Sequence, residues 1–243
     1  MNALVSDQLA RFRKIMGSSK YIEHFIQDSN AERIPHFGMY TGRTPYAGDA
    51  TISSSKQLAQ TYRESYLVDE NAPEEDQRKQ KLNIDGLHRI NKYPARYGGD
   101  AGVLRFVENL EKNQHTPSPL DAELITRFEM QDCPPDILVT NYSMLEYMLM
   151  RQKEWNIWES TKQWLAGSDE NKLLIVLDEA HMYSSKSIFN PNLPISISAF
   201  LRKTLVNLLT LILVTRESIG ERFESDVFIF PRACNLKLLY KYA

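Results

Sequence analysis

The chain has 243 residues, of which 42% are apolar and 25% are charged, a composition typical of folded globular proteins rather than disordered ones. Its net charge of −2 excludes a globally basic surface of the kind that marks many nucleic-acid-binding proteins. The charge is uneven, since residues 1–183 carry 21 basic and 27 acidic side chains whereas residues 184–243 carry 8 and 4.

Cysteine usage and the apolar runs predict a cytoplasmic protein. Cys133 and Cys234 lie far apart without metal-ligand spacing, so we expect two reduced thiols rather than a disulfide or a zinc site. The N-terminal residues lack the basic and apolar segments of a signal peptide. The apolar run from Thr204 to Thr215 is too short to cross a bilayer. We therefore expect a soluble cytoplasmic protein without a membrane segment.

The first half of the chain mixes regular and irregular patterns. Apolar residues at helical spacing predict a helix over 7–16, and the run at 34–40 predicts a strand followed by a turn at 41–43. From about 46 to 131 the apolar pattern is looser, and charged runs lie beside paired glycines and a proline-containing stretch. This region is expected to be a largely helical insertion.

Regular patterning returns in the second half. Residues 137–140 predict a short β-branched strand, Asn141 ends it, and Ser143 is the expected cap of a helix over 144–151. The near-continuous apolar run at 172–177 is typical of a strand buried on both faces, as in a parallel sheet covered by helices. Strands that alternate with crossover helices predict an α/β fold.

Two adjacent carboxylates, Asp178 and Glu179, follow this apolar run. The carboxyl ends of parallel strands open toward the ligand crevice, and neighbouring side chains on a strand point to opposite faces. One carboxylate can therefore hold Mg²⁺, usually through water, while the other orients or deprotonates a water that attacks a phosphate. Such a pair can also merely cap a helix, but the apolar run before it and Ala180-His181 after it favour the chemical role.

The segment Leu173–Tyr183 resembles motif II of the DEAD/DEAH-box helicases of superfamily 2, and the chain resembles the first RecA-like domain of that family. The resemblance implies that Asp178 coordinates Mg²⁺, that Glu179 is the catalytic base, and that His181 couples the nucleotide site to a second motor domain. It also implies ATP and Mg²⁺ as cofactors and nucleic acid, with DNA favoured, as the partner. The sequences of these segments are most similar to those of a bacterial helicase subgroup with a long insertion between motifs Ia and Ib. Its members occur among DNA repair and phage-defence helicases, so unidentified repair or defence proteins are further candidate partners.

Three further segments resemble motifs of the same family in the family's order: motif Ia at 1–8, a small glycine turn at 40–44, and motif Ib at 135–142. Strand ends and helix starts of this kind bring main-chain amides to a phosphate backbone without reading base sequence. The residues that the resemblance assigns to this contact are Asn2, Ala3, Leu4, Thr41, Gly42, Arg43, Thr140 and Asn141. An amphipathic helix start is the alternative for the first segment, and an exposed turn explains the second equally well.

The family's phosphate-binding loop, Gly-x-x-x-x-Gly-Lys-Ser/Thr, does not occur in these 243 residues. In the family it precedes motif Ia, so we expect Met1 to be an internal methionine of a longer protein. The expected organisation is a partial RecA-like ATP-binding domain over 1–183, with its insertion at about 46–131. A divergent or frameshifted tail over 184–243 would follow, without a second motor domain. Residues 193–214 are alternatively a core helix of the same domain.

Three functional hypotheses remain open at this point. The first is an ATP-dependent nucleic-acid helicase or translocase domain, represented by a fragment that is inactive as an ATPase by itself. The second is a non-catalytic nucleic-acid-binding module that keeps motifs Ia and Ib, and the third is an inactive gene remnant. Metalloprotease chemistry is set aside, because the chain has no His-Glu-x-x-His sequence and His181 stands alone.

Overall fold

A computed structural model describes residues 2–29, 31–46, 48–168, 171, 173–178, 209–214 and 227–230. The helices of these segments are α1 (Asn2–Met16), α2 (Ser19–Ser29), α3 (Ile52–Tyr66), α4 (Glu74–Arg89), α5 (Asp100–Glu111), α6 (Arg127–Asp132), α7 (Tyr142–Met150) and α8 (Trp155–Ala166), with a 3₁₀ turn at Gln152–Glu154. The strands are β1 (Phe37–Tyr40), β2 (Glu123–Leu124), β3 (Ile137–Thr140), β4 (Leu173–Asp178), β5 (Leu209–Val214) and β6 (Val227–Phe230).

The strands of the described segments form one sheet in the order β2-β1-β3-β6-β4-β5. β1 is parallel to both β2 and β3, and β4 is parallel to β5. The fold is therefore α/β, as the sequence predicts. The expectation of an all-parallel sheet is wrong for β6, which runs antiparallel between β3 and β4. An apolar run predicts that a strand is buried, but its direction depends on the path of the chain.

Alternating side chains of the neighbouring strands β1 and β3 face two helical layers. Phe37, Ile137 and Val139 pack in one cluster with residues of α1 and α2. Tyr40 and Leu138 belong to a second cluster, which contains residues of α6, α7 and α8. Successive side chains of a strand point to opposite faces, so this division shows a sheet covered on both sides. The short β-branched run of β3 is buried at every position for the same reason.

Gly38 allows helix α6 to approach β1 closely. A Cβ atom at this position would lie 2.5 Å from the sulfur of Met130, a distance that real side chains do not reach. Met130 is fully buried in the cluster on that face of the sheet. A larger residue in place of Gly38 would have to displace the buried side chain of Met130, which packs onto the sheet from α6.

The connection from β1 to β3 contains helices α3 to α6 and returns to the sheet through β2. Helices α3 and α5 share a separate apolar cluster that includes Ala59, Phe106 and Leu110. Thr51 and Thr126 begin α3 and α6 with capping boxes, in which each side chain accepts the amide three residues on. The region predicted as a largely helical insertion thus contains four helices and one short strand among its described residues.

The C-terminal segment 184–243 contributes β5 and β6 to the same sheet as the rest of the chain. The alternative of a core helix over 193–214 is wrong for Leu209–Val214, which pairs in parallel with all six residues of β4. Residues 193–208 lie outside the described part of the chain. No helix among the described residues has the length and apolar character needed to span a membrane.

Candidate functional site

The carboxyl ends of three strands lie at the same edge of the sheet. Tyr40 of β1 is opposite Thr140 of β3. Thr140 and Leu177 of β4 are both opposite Val227, which places them level with each other on either side of β6. Because β6 is antiparallel to both neighbours, β3 and β4 run in the same direction. Strands are spaced by about 4.8 Å, so β3 and β4 are roughly 10 Å apart at this level.

The next residues along the chain therefore form a row at this edge. Thr41 follows β1, Asn141 follows β3, and Asp178 is the last residue of β4. These three positions come from segments separated by up to 137 residues, and the sequence assigned them to three different motifs. The sheet brings them together because the carboxyl ends of parallel strands meet at one edge.

The acidic box is described only at its first residue. The backbone of Asp178 lies at the strand end, where the sequence predicts it. Glu179 and His181, predicted as the catalytic base and the coupling residue, lie outside the described residues. No group of three or more metal-binding side chains occurs in the part of the chain that the structure describes. A single carboxylate that binds Mg²⁺ through water does not require such a group, so this assignment stays a prediction.

The turn after β1, Thr41–Pro45, keeps its threonine hydroxyls for internal hydrogen bonds. The Thr41 amide donates to Oγ1 of Thr44 at 2.9 Å, and this hydroxyl donates to the Met39 carbonyl at 2.6 Å. The Arg43 amide donates to Oγ1 of Thr41 at 3.2 Å. Thr41 is buried, whereas Gly42 and Arg43 are exposed. Of the three predicted contact residues in this turn, only Gly42 and Arg43 are therefore accessible to a ligand.

Thr140 and Asn141 also have structural partners. The hydroxyl of Thr140, a fully buried residue, donates to the carbonyl of Tyr40 at 2.6 Å. The side chain of Asn141 accepts the Met144 amide at 2.9 Å and caps α7. The prediction that Ser143 is the cap is wrong by two positions, because the helix begins immediately after the strand end. The amino end of α7 thus lies at the polar edge of the sheet, where helix amides favour anions.

The residues predicted from motif Ia lie in the first turn of α1, which begins at Asn2 and contains Ala3 and Leu4. The far end of this helix is fixed near the amino ends of the strands. There Phe12 packs against Phe37 with ring centres 5.7 Å apart, and Arg13 forms a two-point ion pair with Glu123. Since Phe37 and Glu123 are the first residues of paired strands, the start of α1 points away from that edge.

A buried polar network behind the turn was not found from the sequence. The Tyr40 hydroxyl donates to Oε1 of Glu154 at 2.9 Å and accepts the side-chain amide of Gln131 at 3.0 Å. Arg151 is ion-paired to the same carboxylate, and its Nε donates to Oε2 at 3.2 Å. Burial raises the pKa of Tyr40, so this phenol stays neutral. A capping-box pattern marks the start of α6, but no local pattern reveals which side chains meet in this network.

Arg127, the first residue of α6, lies between this network and the turn. Its Nη2 donates to the Thr41 carbonyl at 2.7 Å, and its guanidinium carbon lies 5.2 Å from the centre of the Tyr40 ring. Burial lowers the pKa of Arg127, and the charge of Arg151 adds to this effect, whereas Tyr40 and Glu154 oppose it. The edge therefore has a positive charge directly behind the exposed Gly42-Arg43 segment.

A cavity of about 160 Å³ lies at the opposite edge of the sheet. It is lined by Arg13, which holds Glu123, and by the turn at Gly98-Gly99 that precedes α5. Glu123 is opposite the first residue of β1, so this cavity is at the amino ends of the strands. It is therefore distinct from the row of strand-end residues at the carboxyl edge.

The fold and this edge define an α/β protein whose polar strand-end residues converge at the carboxyl ends of its strands. No protein-family model matches the chain, and no solved structure matches it. The chain is similar to Druantia protein DruE from Escherichia coli (strain UMEA 4076-1), with 38% identity over 201 residues. The similarity covers 75% of this chain and 10% of DruE. The chain thus spans about a tenth of the length of this curated relative.

Proposed function

We propose that this chain is part of an ATP-dependent nucleic-acid helicase or translocase with a RecA-like first domain. The observation that supports the proposal is the shared sheet edge of Thr41, Asn141 and Asp178. Three segments that resemble separate helicase motifs end at this one edge, as a common site requires. Every parallel sheet brings its strand ends to one edge, so the support comes from the motif-like sequences that occupy these three ends.

The carboxyl edge of the sheet is the proposed contact with the nucleic-acid backbone. Gly42 and Arg43 are exposed there, and α7 begins there with its amide groups. Amides at a helix start and an arginine side chain both bind phosphate oxygens without reading base sequence. The contact is thus expected to depend strongly on salt and weakly on base composition.

Binding of single-stranded DNA across a salt series tests this contact. Arg43→Ala is expected to weaken binding and to reduce the slope of log K against log[salt] by about one. Arg78→Ala is the matched control, because the Arg78 side chain is 82% exposed on α4 and its replacement removes the same charge at a different place. Equal losses in the two variants would mean that only overall charge matters, and would refute a contact at the turn.

ATP hydrolysis is the proposed activity of the larger motor, with Asp178 and Glu179 as the Mg²⁺-binding and catalytic carboxylates. The phosphate-binding sequence does not occur in these 243 residues. Each charge-assisted hydrogen bond of such a loop is worth about 1.5–3 kcal/mol. Losing more than about 5 kcal/mol weakens nucleotide binding by over a thousandfold. We therefore expect no appreciable hydrolysis by this chain alone, and DNA-stimulated turnover that Glu179→Gln abolishes would contradict this.

A non-catalytic nucleic-acid-binding module is the second candidate, and the same missing loop favours it. The two functions differ in how nucleotide affects DNA binding. The test uses the full-length protein, because this chain alone is expected to bind nucleotide too weakly. If ATP and Mg²⁺ change the affinity of the full-length protein for DNA, the motor function is supported, and if DNA binding is the same with and without nucleotide, the non-catalytic module is supported.

A further inference from the structure

Arg127 donates hydrogen bonds to both ends of the turn Thr41–Pro45 from the protein interior. Its backbone amide donates to the Pro45 carbonyl at 3.2 Å, and its guanidinium donates to the Thr41 carbonyl at 2.7 Å. The residue is only 3% exposed. Because one residue fixes both carbonyls, the conformation of the exposed Gly42-Arg43 segment depends directly on Arg127.

The charge of Arg127 has no carboxylate partner among the described residues, which sets it apart from the other fully buried arginine. Arg96 is 5% exposed and forms ion pairs with Asp121 at 3.1 Å and Glu129 at 2.6 Å. Arg127 has no ion pair in the described segments, and its Nε has no hydrogen-bond acceptor there. A buried charge without a counter-charge is unfavourable, so an anion placed near it would be stabilised.

The surroundings of Arg127 do not neutralise it. Glu154, a buried carboxylate whose charge acts on Arg127, is already ion-paired to Arg151 and accepts a hydrogen bond from Tyr40. The group formed by Arg127, Arg151 and Glu154 therefore has a net charge of +1. On the outer side of the turn, exposed Arg43 adds a second positive charge. The turn thus lies between two arginines, one buried and one exposed.

One amide of the turn is also available to a ligand. The amides of Thr41 and Arg43 donate to threonine hydroxyls of the same turn. The Gly42 amide has no acceptor among the described residues, and Gly42 is exposed with open space where a Cβ atom would lie. An amide donor with positive charge on both sides is a suitable arrangement for a phosphate oxygen.

From these contacts we infer that Arg127 is a positioning residue for a phosphate-binding turn, and that a nucleic-acid backbone phosphate supplies its missing counter-charge. The inference rests on the proposed function, because it takes nucleic acid as the partner of this edge. Arg127 acts through the turn: it holds the Thr41 carbonyl inward, which leaves the Gly42 amide outward, and its charge stabilises the bound phosphate. The sequence alone assigned no role to this residue.

The test compares Arg127→Gln and Arg127→Lys with the parent chain in binding of a single-stranded oligo(dT) probe and in urea unfolding. Glutamine keeps a donor for the Thr41 carbonyl but removes the charge, whereas lysine keeps the charge. Arg127→Gln is expected to bind about tenfold more weakly, with a salt slope lower by about one. Its unfolding midpoint is expected to be unchanged or higher, because an unpaired buried charge has been removed. Arg127→Lys is expected to retain most of the affinity.

The other outcomes show whether this inference fails together with the proposed function or by itself. If the parent chain does not bind the probe, both are overturned. If Arg43→Ala weakens binding while Arg127→Gln binds like the parent, only the role of Arg127 is overturned. If both Arg127 variants lose affinity together with their unfolding midpoints, Arg127 is merely structural, and the inference is again overturned.

Discussion

Replacing Arg96 by methionine is expected to destabilise the chain by about 3–5 kcal/mol, the usual result of removing one partner from a buried ion pair. The side chains of Arg96, Asp121 and Glu129 are 2%, 7% and 2% exposed. Burial alone lowers the pKa of Arg96, but the two carboxylates outweigh it, so the pKa is raised overall and the group stays charged. Methionine would fill similar space but leave Glu129 without its cation and Asp121 with only the half-exposed Arg105, whose Nη2 lies 3.7 Å from Oδ1.

The remaining partners of the two carboxylates place the cost toward the lower end of this range. Each carboxylate also accepts two backbone amides, those of Tyr97 and Ser118 for Asp121 and those of Ile125 and Thr126 for Glu129. These hydrogen bonds stay in the variant and partly stabilise the negative charges. Small domains are stable by only about 5–15 kcal/mol, so the loss should be easily measured.

Urea unfolding followed by circular dichroism measures this loss, with Arg63→Met as the matched control. Arg63 forms an ion pair of 2.8 Å with Glu111, but the two side chains are 41% and 45% exposed. Exposed pairs contribute about 0–1 kcal/mol, so the same chemical change should have little effect there. If Arg96→Met and Arg63→Met lower the free energy of unfolding by similar amounts, the argument from burial is refuted.

Three further predictions follow from single contacts. Gly42→Ala should leave the free energy of unfolding within about 1 kcal/mol of the parent, because an added Cβ atom would contact nothing there. The same substitution should weaken DNA binding if a phosphate contacts the Gly42 amide. Unchanged binding would exclude this contact. Asn141→Ala should cost about 1 kcal/mol through loss of the α7 cap, whereas Ser143→Ala should cost almost nothing; the reverse order would contradict the assigned cap. Burial and the charge of Arg33 lower the pKa of His36. The unfolded chain therefore binds more protons than the folded chain below about pH 6.5, and the free energy of unfolding should fall from pH 7 to pH 5. His36→Gln should show a shallower fall over this range, and equal pH dependence in urea unfolding would rule out a contribution from this histidine.

Local sequence patterns were sufficient to predict the two strands that consist of continuous apolar runs and the helix with regularly spaced apolar residues. The strand over Ile137–Thr140 was predicted at its observed bounds, and that over 172–177 within one residue, because continuous apolar runs occur where both faces of a strand are buried. The helix predicted over 7–16 exists but begins earlier, at Asn2. Helix starts are harder to place, since several neighbouring polar residues can act as the cap, as Asn141 does in place of Ser143.

The candidate site was predictable only in part. The sequence placed Thr41, Thr140 and Asp178 at or next to strand ends, and they do lie there. It did not reveal that both threonine hydroxyls are used inside the protein, which leaves Gly42 and Arg43 as the accessible part of the turn. The Thr140 hydroxyl donates to a carbonyl one hundred positions away, and such a contact leaves no trace in a local pattern.

The sequence by itself determined that 7–16 is helical, that 137–140 and 172–177 are extended, and that carboxylates follow the latter run, because periodicity and composition reflect burial directly. Only the tertiary structure decided that β6 lies antiparallel between β3 and β4 and that three strand ends meet at one edge. Only the tertiary structure left Arg127 without a carboxylate partner among the described residues while giving Arg96 two. Strand order and charge pairing depend on contacts between distant segments, and those contacts exist only once the chain has folded.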